Sequence, residues 1–288
     1  MRKVFADLHN HLKTGSYMPE GIFNRTAEIV RRRLGEGGII GLVNFEDRRY
    51  EDFSELSGYE RVDFGNALYV PEKDVMIVRG QEVPTKHGHL LVLGLKKGKN
   101  LKGGRSLEDS LKEARDENGI IIADHPFYKE GIGHSIDNLP EDNVFFDAIE
   151  VHNGSSVWIP FVTPRNSNEE SELFYLLNTL ITSAHSIGAI SASDGHSLYE
   201  LGRSYTRLEM PQYNEIKDAE QLVDCLKIAI RKARPEDCVR KNSRLGAIKH
   251  LFELGLIIIR NSFKKHLKTK FDIHSYEKKG EDSCKKQF

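Results

Sequence analysis

Short apolar runs, each too short to form a helix, recur along this chain with amphipathic or polar stretches between them. That alternation limits the possible folds more than any other feature. The runs Val4-Phe5-Ala6, Ile39-Ile40-Gly41-Leu42-Val43, Val75-Met76-Ile77-Val78, Leu90-Leu91-Val92-Leu93 and Ile120-Ile121-Ile122-Ala123 read as buried strands. Further strands are expected at 145–151, 189–192 and 205–210. Residues 22 to 36 place Ile22, Phe23, Ala27, Ile29, Val30 and Leu34 at helical spacing, closed by Gly35, Gly37 and Gly38. Residues 106 to 118 open on Ser106 with Glu108 and Asp109 in the first turn, a capped helix start, and 168–187 and 219–232 read as further helices. Strands alternating with helices specify an α/β fold made of βα units. The polar stretch from Arg48 to about Asp74 reads as an elaborated loop over one end.

In such folds the carboxyl ends of the strands open on one face, and the site lies there. Here the runs stop at His9/His11, Glu46/Asp47, Glu82, His89, His125, Glu150 and Asp194/His196. A chance scatter of charged and imidazole residues would not follow strand ends so regularly. Asp7, His9 and His11 are two apart, so an extended chain presents them on one face. Two imidazoles beside a carboxylate suit a Zn, Mn or Fe ion. Plainer readings stand beside each residue. Asp194-Gly195-His196 can be a turn whose carboxylate caps the next segment. Glu82 can be an ordinary strand residue, Glu150 a brace for an imidazole, and His87 an alternative ligand to His89.

The 288 residues suit one barrel-sized unit over residues 1–235, followed by a helical and lysine-rich extension over 236–288. The net charge is -1, and no broad basic stripe carries interleaved aromatics, so long nucleic acid is not an expected partner. Cys225, Cys238 and Cys284 lack CxxC spacing, which argues against a disulfide framework and fits a reduced cytoplasm. The first residues lack the apolar core of a signal peptide, and no run is long enough to cross a bilayer.

Six segments carry a resemblance, and they occur in a fixed order. Asp7-Leu8-His9-Asn10-His11, Gly80-Gln81-Glu82, Gly88-His89-Leu90, Ala123-Asp124-His125-Pro126, Glu150-Val151-His152-Asn153 and Ser193-Asp194-Gly195-His196 resemble the motifs of the PHP (polymerase and histidinol phosphatase) family. The likeness covers roughly residues 1 to 210. It implies a distorted seven-stranded (β/α) barrel, related to the TIM barrel, which holds two or three divalent ions (Zn, Mn or Fe) and hydrolyses phosphate esters. Carried over residue by residue, it implies one ion on His9, His11 and Asp194, with Glu82 bridging to a second ion completed by His89 and His125. His196 would belong to a third. This chain departs from the pattern at Phe45-Glu46-Asp47, where many relatives have Thr-Asp-His, so the expectation is two ions.

The leading expectation is therefore a metal-dependent phosphoesterase acting on a small phosphorylated metabolite or nucleotide through a hydroxide that bridges the ions. His9, Glu82, Asp194 and His196 are the expected catalytic residues, and Arg203 and Lys129 the expected phosphate contacts. Trp158, Phe161 and Arg165 are further candidate pocket residues. Two alternatives remain: a C–N hydrolase of the amidohydrolase type, and a degenerate PHP module that binds metal or a partner structurally.

Overall fold

The structure, a computed structural model, describes residues 1–12, 21–126, 131–136, 146–154 and 187–240. They form a mixed α/β fold around one sheet that curls into a nearly closed barrel. Its strands are β1 (Arg2–Asp7), β2 (Gly38–Asn44), β3 (Val62–Asp63), β4 (Ala67–Val70), β5 (Val75–Thr85), β6 (Gly88–Leu93), β7 (Ile120–Ala123), β8 (Ala148–Asn153), β9 (Gly188–Ala192), β10 (Tyr205–Met210) and β11 (Cys238–Val239). Nine of them follow the order β11-β10-β1-β2-β5-β6-β7-β8-β9, with the short β3 and β4 attached beside β5. The resemblance implied seven strands; the described residues carry eleven, two of which are only two residues long.

Strands β1, β2 and β5 run parallel, as do β7, β8 and β9, while β6 and β10 run against them. The period-2 alternation of a strand then sorts each strand's residues into two layers. Val4, Ala6, Ile39, Val43, Met76, Val78, Leu91, Leu93, Ile120, Ile122, Ala148, Ile190 and Leu208 form one buried cluster drawn from nearly every strand, the inward layer of the barrel. Burying each Val, Ile, Leu or Met of this layer contributes about 1.5–3 kcal/mol. The alternate residues face outward against helices. Ile40, Leu42 and Ile77 pack with Phe23, Ala27, Val30 and Leu34 of α1 (Ile22–Leu34). Val92, Ile121 and Ile149 pack with Leu107, Leu111 and Ala114 of α3 (Leu107–Asp116). Ser106 caps α3, its hydroxyl accepting from the Asp109 N–H.

No strand ladder joins β9 to β10 among the described residues, and polar groups fasten that seam instead. The Ser191 N–H donates to Thr206 Oγ1 at 2.8 Å, and the Thr206 hydroxyl donates to the Ser191 carbonyl at 3.2 Å. The Asp7 carboxylate accepts from the Ser193 N–H at 2.8 Å and the Gly202 N–H at 2.7 Å. Beyond β1, the His11 N–H donates to the Gly195 carbonyl at 2.6 Å and the Val43 N–H to the Asn10 carbonyl at 2.8 Å. A side chain at Gly41 would strike the Leu8 carbonyl, so this close approach of the chain to β2 requires glycine.

Two expectations need correction. The polar 48–74 stretch holds a short helix, α2 (Arg49–Ser54), which buries Tyr50 and Phe53, and it holds β3 and β4, with β4 paired along β5. The strand read at 145–151 lies at 148–153, which brings His152 and Asn153 into it. The remaining helices are α4 (Gly133–Ile136) and α5 (Ala219–Lys232), whose Leu222, Leu226, Ala229 and Ile230 are buried with the inward layer. The expected helix at 168–187 lies outside the described residues except for its last position, and so does the extension beyond 240.

Candidate metal centre

The alternation that builds the apolar inward layer also brings chemistry to one rim. On β5, Met76, Val78, Gly80 and Glu82 share a face, so Glu82 stands directly above the apolar layer. On β6, Leu93, Leu91 and His89 do the same. Because β6 runs antiparallel, its beginning, not its end, reaches this rim. Glu150 follows Ala148 on β8, and Asp194 continues the inward positions Ile190 and Ala192 past the end of β9. His9 and His11 lie just beyond β1, held by the backbone bonds of Asn10 and His11.

The side chains converge around Glu82. Its Oε2 lies 3.0 Å from His11 Nε2 and 3.8 Å from His9 Nε2, and its Oε1 contacts His89 Nδ1 and lies 3.2 Å from His125 Nε2. Asp194 Oδ1 is 3.5 Å from His11 Nε2 and 3.7 Å from His9 Nε2, and those two ring nitrogens are 2.9 Å apart. One group of side chains that could hold an ion is thus His9, His11 and Asp194, and a second is Glu82, His89 and His125, with the Glu82 carboxylate facing both. All of them are buried except His89 and Asp194, which are partly so. Imidazole nitrogens and carboxylate oxygens meeting in pairs match the donor set of a divalent transition metal. Two of these residues, Asp194 at φ +49° and His125 at φ +23°, hold left-handed backbone conformations that are rarely populated outside glycine.

A further carboxylate supports the rings from behind. Glu150 Oε1 lies 3.2 Å from His9 Nδ1, while its Oε2 accepts from the His125 N–H at 2.8 Å and from Asn153 Nδ2 at 2.9 Å. It fixes the orientation of His9 with Nε2 toward the cluster. Burial favours the neutral acid at Glu82, yet hydrogen bonds from His11, His125 and His89 hold its carboxyl well below the ordinary range. Burial opposes charge on His9, but Asp194 and Glu150 raise its pKa well above normal, whereas burial pushes His11 down to about 3. Burial pushes Asp194 up to about 7.

Other expected residues lie elsewhere. Asp7 does not join the cluster; its carboxylate locks the Ser193–Asp194 turn against β1. His196 sits at the mouth, its ring 5.0 Å from that of His11 and its Nδ1 3.9 Å from Asp194 Oδ1. Among the described residues, no group able to hold an ion includes His196, Glu46 or Asp47. Asp47 is engaged by Arg49 Nε at 2.6 Å. The Phe45 ring lies flat on His11, centroids 4.4 Å apart, and the Arg49 guanidinium stands 4.8 Å from the centre of the same Phe45 ring. The Arg203 Nε donates to the Tyr199 carbonyl in its own loop at 2.5 Å. His87 Nδ1 accepts from the Leu107 N–H at 3.3 Å, away from the cluster. Lys129, Trp158, Phe161 and Arg165 lie outside the described residues.

No protein-family model matches the sequence, and no curated protein matches it. Solved structures do share the fold. The structure of PsfC from Pseudomonas syringae PB-5123 matches with a TM-score of 0.56 at 16% identity, covering 93% of this chain and all of that one. The lesion-specific endonuclease PfuEndoQ from Pyrococcus furiosus matches at 0.52 with 18% identity, over 78% of this chain and 56% of that one. Endonuclease Q in complex with a 27-mer duplex substrate carrying an abasic lesion at the active site matches at 0.52 with 19% identity, over 78% and 57%. The chain therefore spans little more than half the length of either endonuclease. The shared fold supports the mixed α/β architecture expected from the alternation of strands and helices. It also overturns one expectation: a protein of this fold takes a duplex substrate, so the lack of a basic stripe is no ground for excluding long nucleic acid. Charge along the sequence misled because a fold can present phosphate-binding groups from separate loops without any linear basic run. Among the described residues no helix is long and apolar enough to cross a membrane.

Proposed function

We propose that this PHP-like barrel is a metal-dependent phosphoesterase that carries two divalent ions (Zn, Mn or Fe) at the rim. The observation that carries the reading is the Glu82 carboxylate, which offers one oxygen to His9 and His11 and the other to His89 and His125. A bound ion pair supplies acidification of a water and neutralisation of the ester oxygens. His9, His11 and Asp194 would hold one ion and His89 and His125 the other, with Glu82 between them. Glu150 keeps His9 in the tautomer whose Nε2 lone pair faces the cluster, and Asp7 keeps the Asp194 turn in place. His196, partly exposed at the mouth, is the residue proposed to pass a proton to the leaving group. Arg203 and Lys129 are proposed to steady the phosphate. The substrate class is a phosphate ester, and the likeness to Endonuclease Q brings nucleic acid into it.

The test is hydrolysis of a generic phosphomonoester, a generic phosphodiester and an abasic-site duplex by the purified full chain, with metal content measured alongside. Hydrolysis of at least one of these, abolished by a chelator and by His9→Ala, is the expected result. A protein that holds two ions yet leaves all three substrates intact would mark a binding module that has lost its chemistry.

A further inference from the structure

Strand β7 carries Ile120 and Ile122 in the inward layer, and the next inward position is Asp124, one residue past the strand end. Asp124 is fully buried and neither of its oxygens receives a hydrogen bond. Its close polar neighbour is His125 Nε2 at 2.9 Å, and it falls within a few ångströms of both His9 and Glu150. A buried carboxylate without donors is costly, and proteins retain one only where something else answers its charge.

The other buried carboxylates divide into two kinds. Asp7, Glu51, Asp147 and Glu150 each accept at least one backbone N–H, from Ser193, Gly98, Ile121 and His125 respectively. Glu82 and Asp194, the carboxylates of the proposed centre, face imidazoles and accept no backbone N–H among the described residues. Asp124 belongs with this second kind. The trio of His9, Asp124 and Glu150 is not a separate ion site, because His9 directs Nε2 to the main cluster and Glu150 is already committed to His9, His125 and Asn153. His125 itself reaches the centre only through its left-handed backbone, while Asp124 occupies the position that strand alternation aims inward.

We propose that Asp124 is itself a metal-ligating carboxylate, which gives the ion held by Glu82, His89 and His125 a second protein oxygen. The proposal rests on the metal-centre reading above. A set of two carboxylates and two imidazoles would be harder than a zinc-type set and would suit Mn or Fe.

The experiment compares the unaltered full chain with Asp124→Asn, titrating Mn and Zn onto metal-free protein and recording thermal midpoints in chelator. Asp124→Asn is expected to bind the second ion at least about tenfold more weakly, to show a larger loss for Mn than for Zn, and to be no less stable than the unaltered chain in chelator. If the variant keeps both ions at unchanged affinity, or loses stability in chelator with its metal affinity intact, Asp124 merely pairs with a protonated His125 and the proposal falls. If the unaltered chain binds no ion, the metal-centre reading falls with it. A Mn-loaded crystal of the unaltered chain tests the same point independently: an Asp124 oxygen bonded to the ion supports the proposal, and one beyond bonding distance overturns it.

Discussion

Two buried ionic clusters share strand β5 and are built on opposite principles. Below the rim, Arg79 lies fully buried and its Nε donates to Glu51 at 2.6 Å. Glu51 also accepts from the Gly98 N–H at 3.0 Å and from Asn44 Nδ2 at 2.8 Å, while Arg79 Nη2 reaches Asn100 at 2.7 Å. Every partner of Glu51 there is a fixed donor or a permanent charge, and its carboxyl is held below its ordinary range even though burial opposes this. Three residues further along, Glu82 has only imidazoles for company, each able to give up its proton. In the Arg79 cluster the carboxylate has its charge answered by groups of the chain itself. The Glu82 cluster is complete only with protons or with cations that replace them, and that difference separates a structural ion pair from a binding site.

The largest test of this contrast is Glu82→Gln. Loss of the shared carboxylate is expected to lower ester hydrolysis on the order of 10⁴-fold, or about 5.5 kcal/mol, and to abolish the rise in thermal midpoint on adding Mn or Zn, with circular dichroism unchanged. Wild-type turnover in this variant would erase the distinction between the clusters. Arg79→Met should act in the opposite way. Stranding Glu51 costs about 3–5 kcal/mol of stability in denaturant titrations, while the metal content of the folded fraction stays the same. A drop in metal content would mean that the two clusters are coupled.

The unaltered protein should gain about 2.7 kcal/mol when the ion is present at a hundred times its dissociation constant. That gain has a definite pH dependence. His9, His125 and Asp194 hold protons to higher pH in the metal-free fold than they would in water, so the ion must displace them, and its affinity rises with pH. The metal-induced shift in midpoint is therefore expected to grow between about pH 5 and pH 8. A flat profile would mean that no titrating group binds the ion. Asp7→Asn is the mildest change. It costs about 1–3 kcal/mol through the Ser193 and Gly202 N–H groups it leaves poorly matched, and it weakens the ion nearer Asp194 more than the one nearer His89.

How much is legible in the sequence differs between the same two clusters. Glu82 and Asp194 fall on the inward set of strand alternation, while His9, His11 and His125 stand just past the ends of apolar runs, where the common rim is the cue that gathers them. His89 reaches the expected rim by a different route, since it begins an antiparallel strand instead of ending a parallel one. Asp124 is the next inward position after Ile120 and Ile122, but the histidine beside it is the more conspicuous ligand type. The Arg79–Glu51 pair leaves no such signal. Arg79 lies within a run that otherwise reads as apolar, and Glu51 within a polar stretch whose six-residue helix is too short for periodicity to register. Asp7 has the right spacing for the cluster and a different task, because the barrel seam needs an acceptor for two backbone N–H groups.

The β5–β6 pairing closes through Lys86 and His87 alone, with Thr85 opposite Gly88. Glu82 and His89 are therefore neighbours along the chain as well as in space. The contacts of His9 with Asp194, by contrast, require the first strand to meet the far end of the chain's strand order across nearly the whole barrel. Short loops close quickly and distant ones slowly, so one half of the rim takes shape with a local hairpin and the other only as the barrel shuts. An early-arriving cation would find its Glu82–His89 corner ready before the remaining ligands have come within reach.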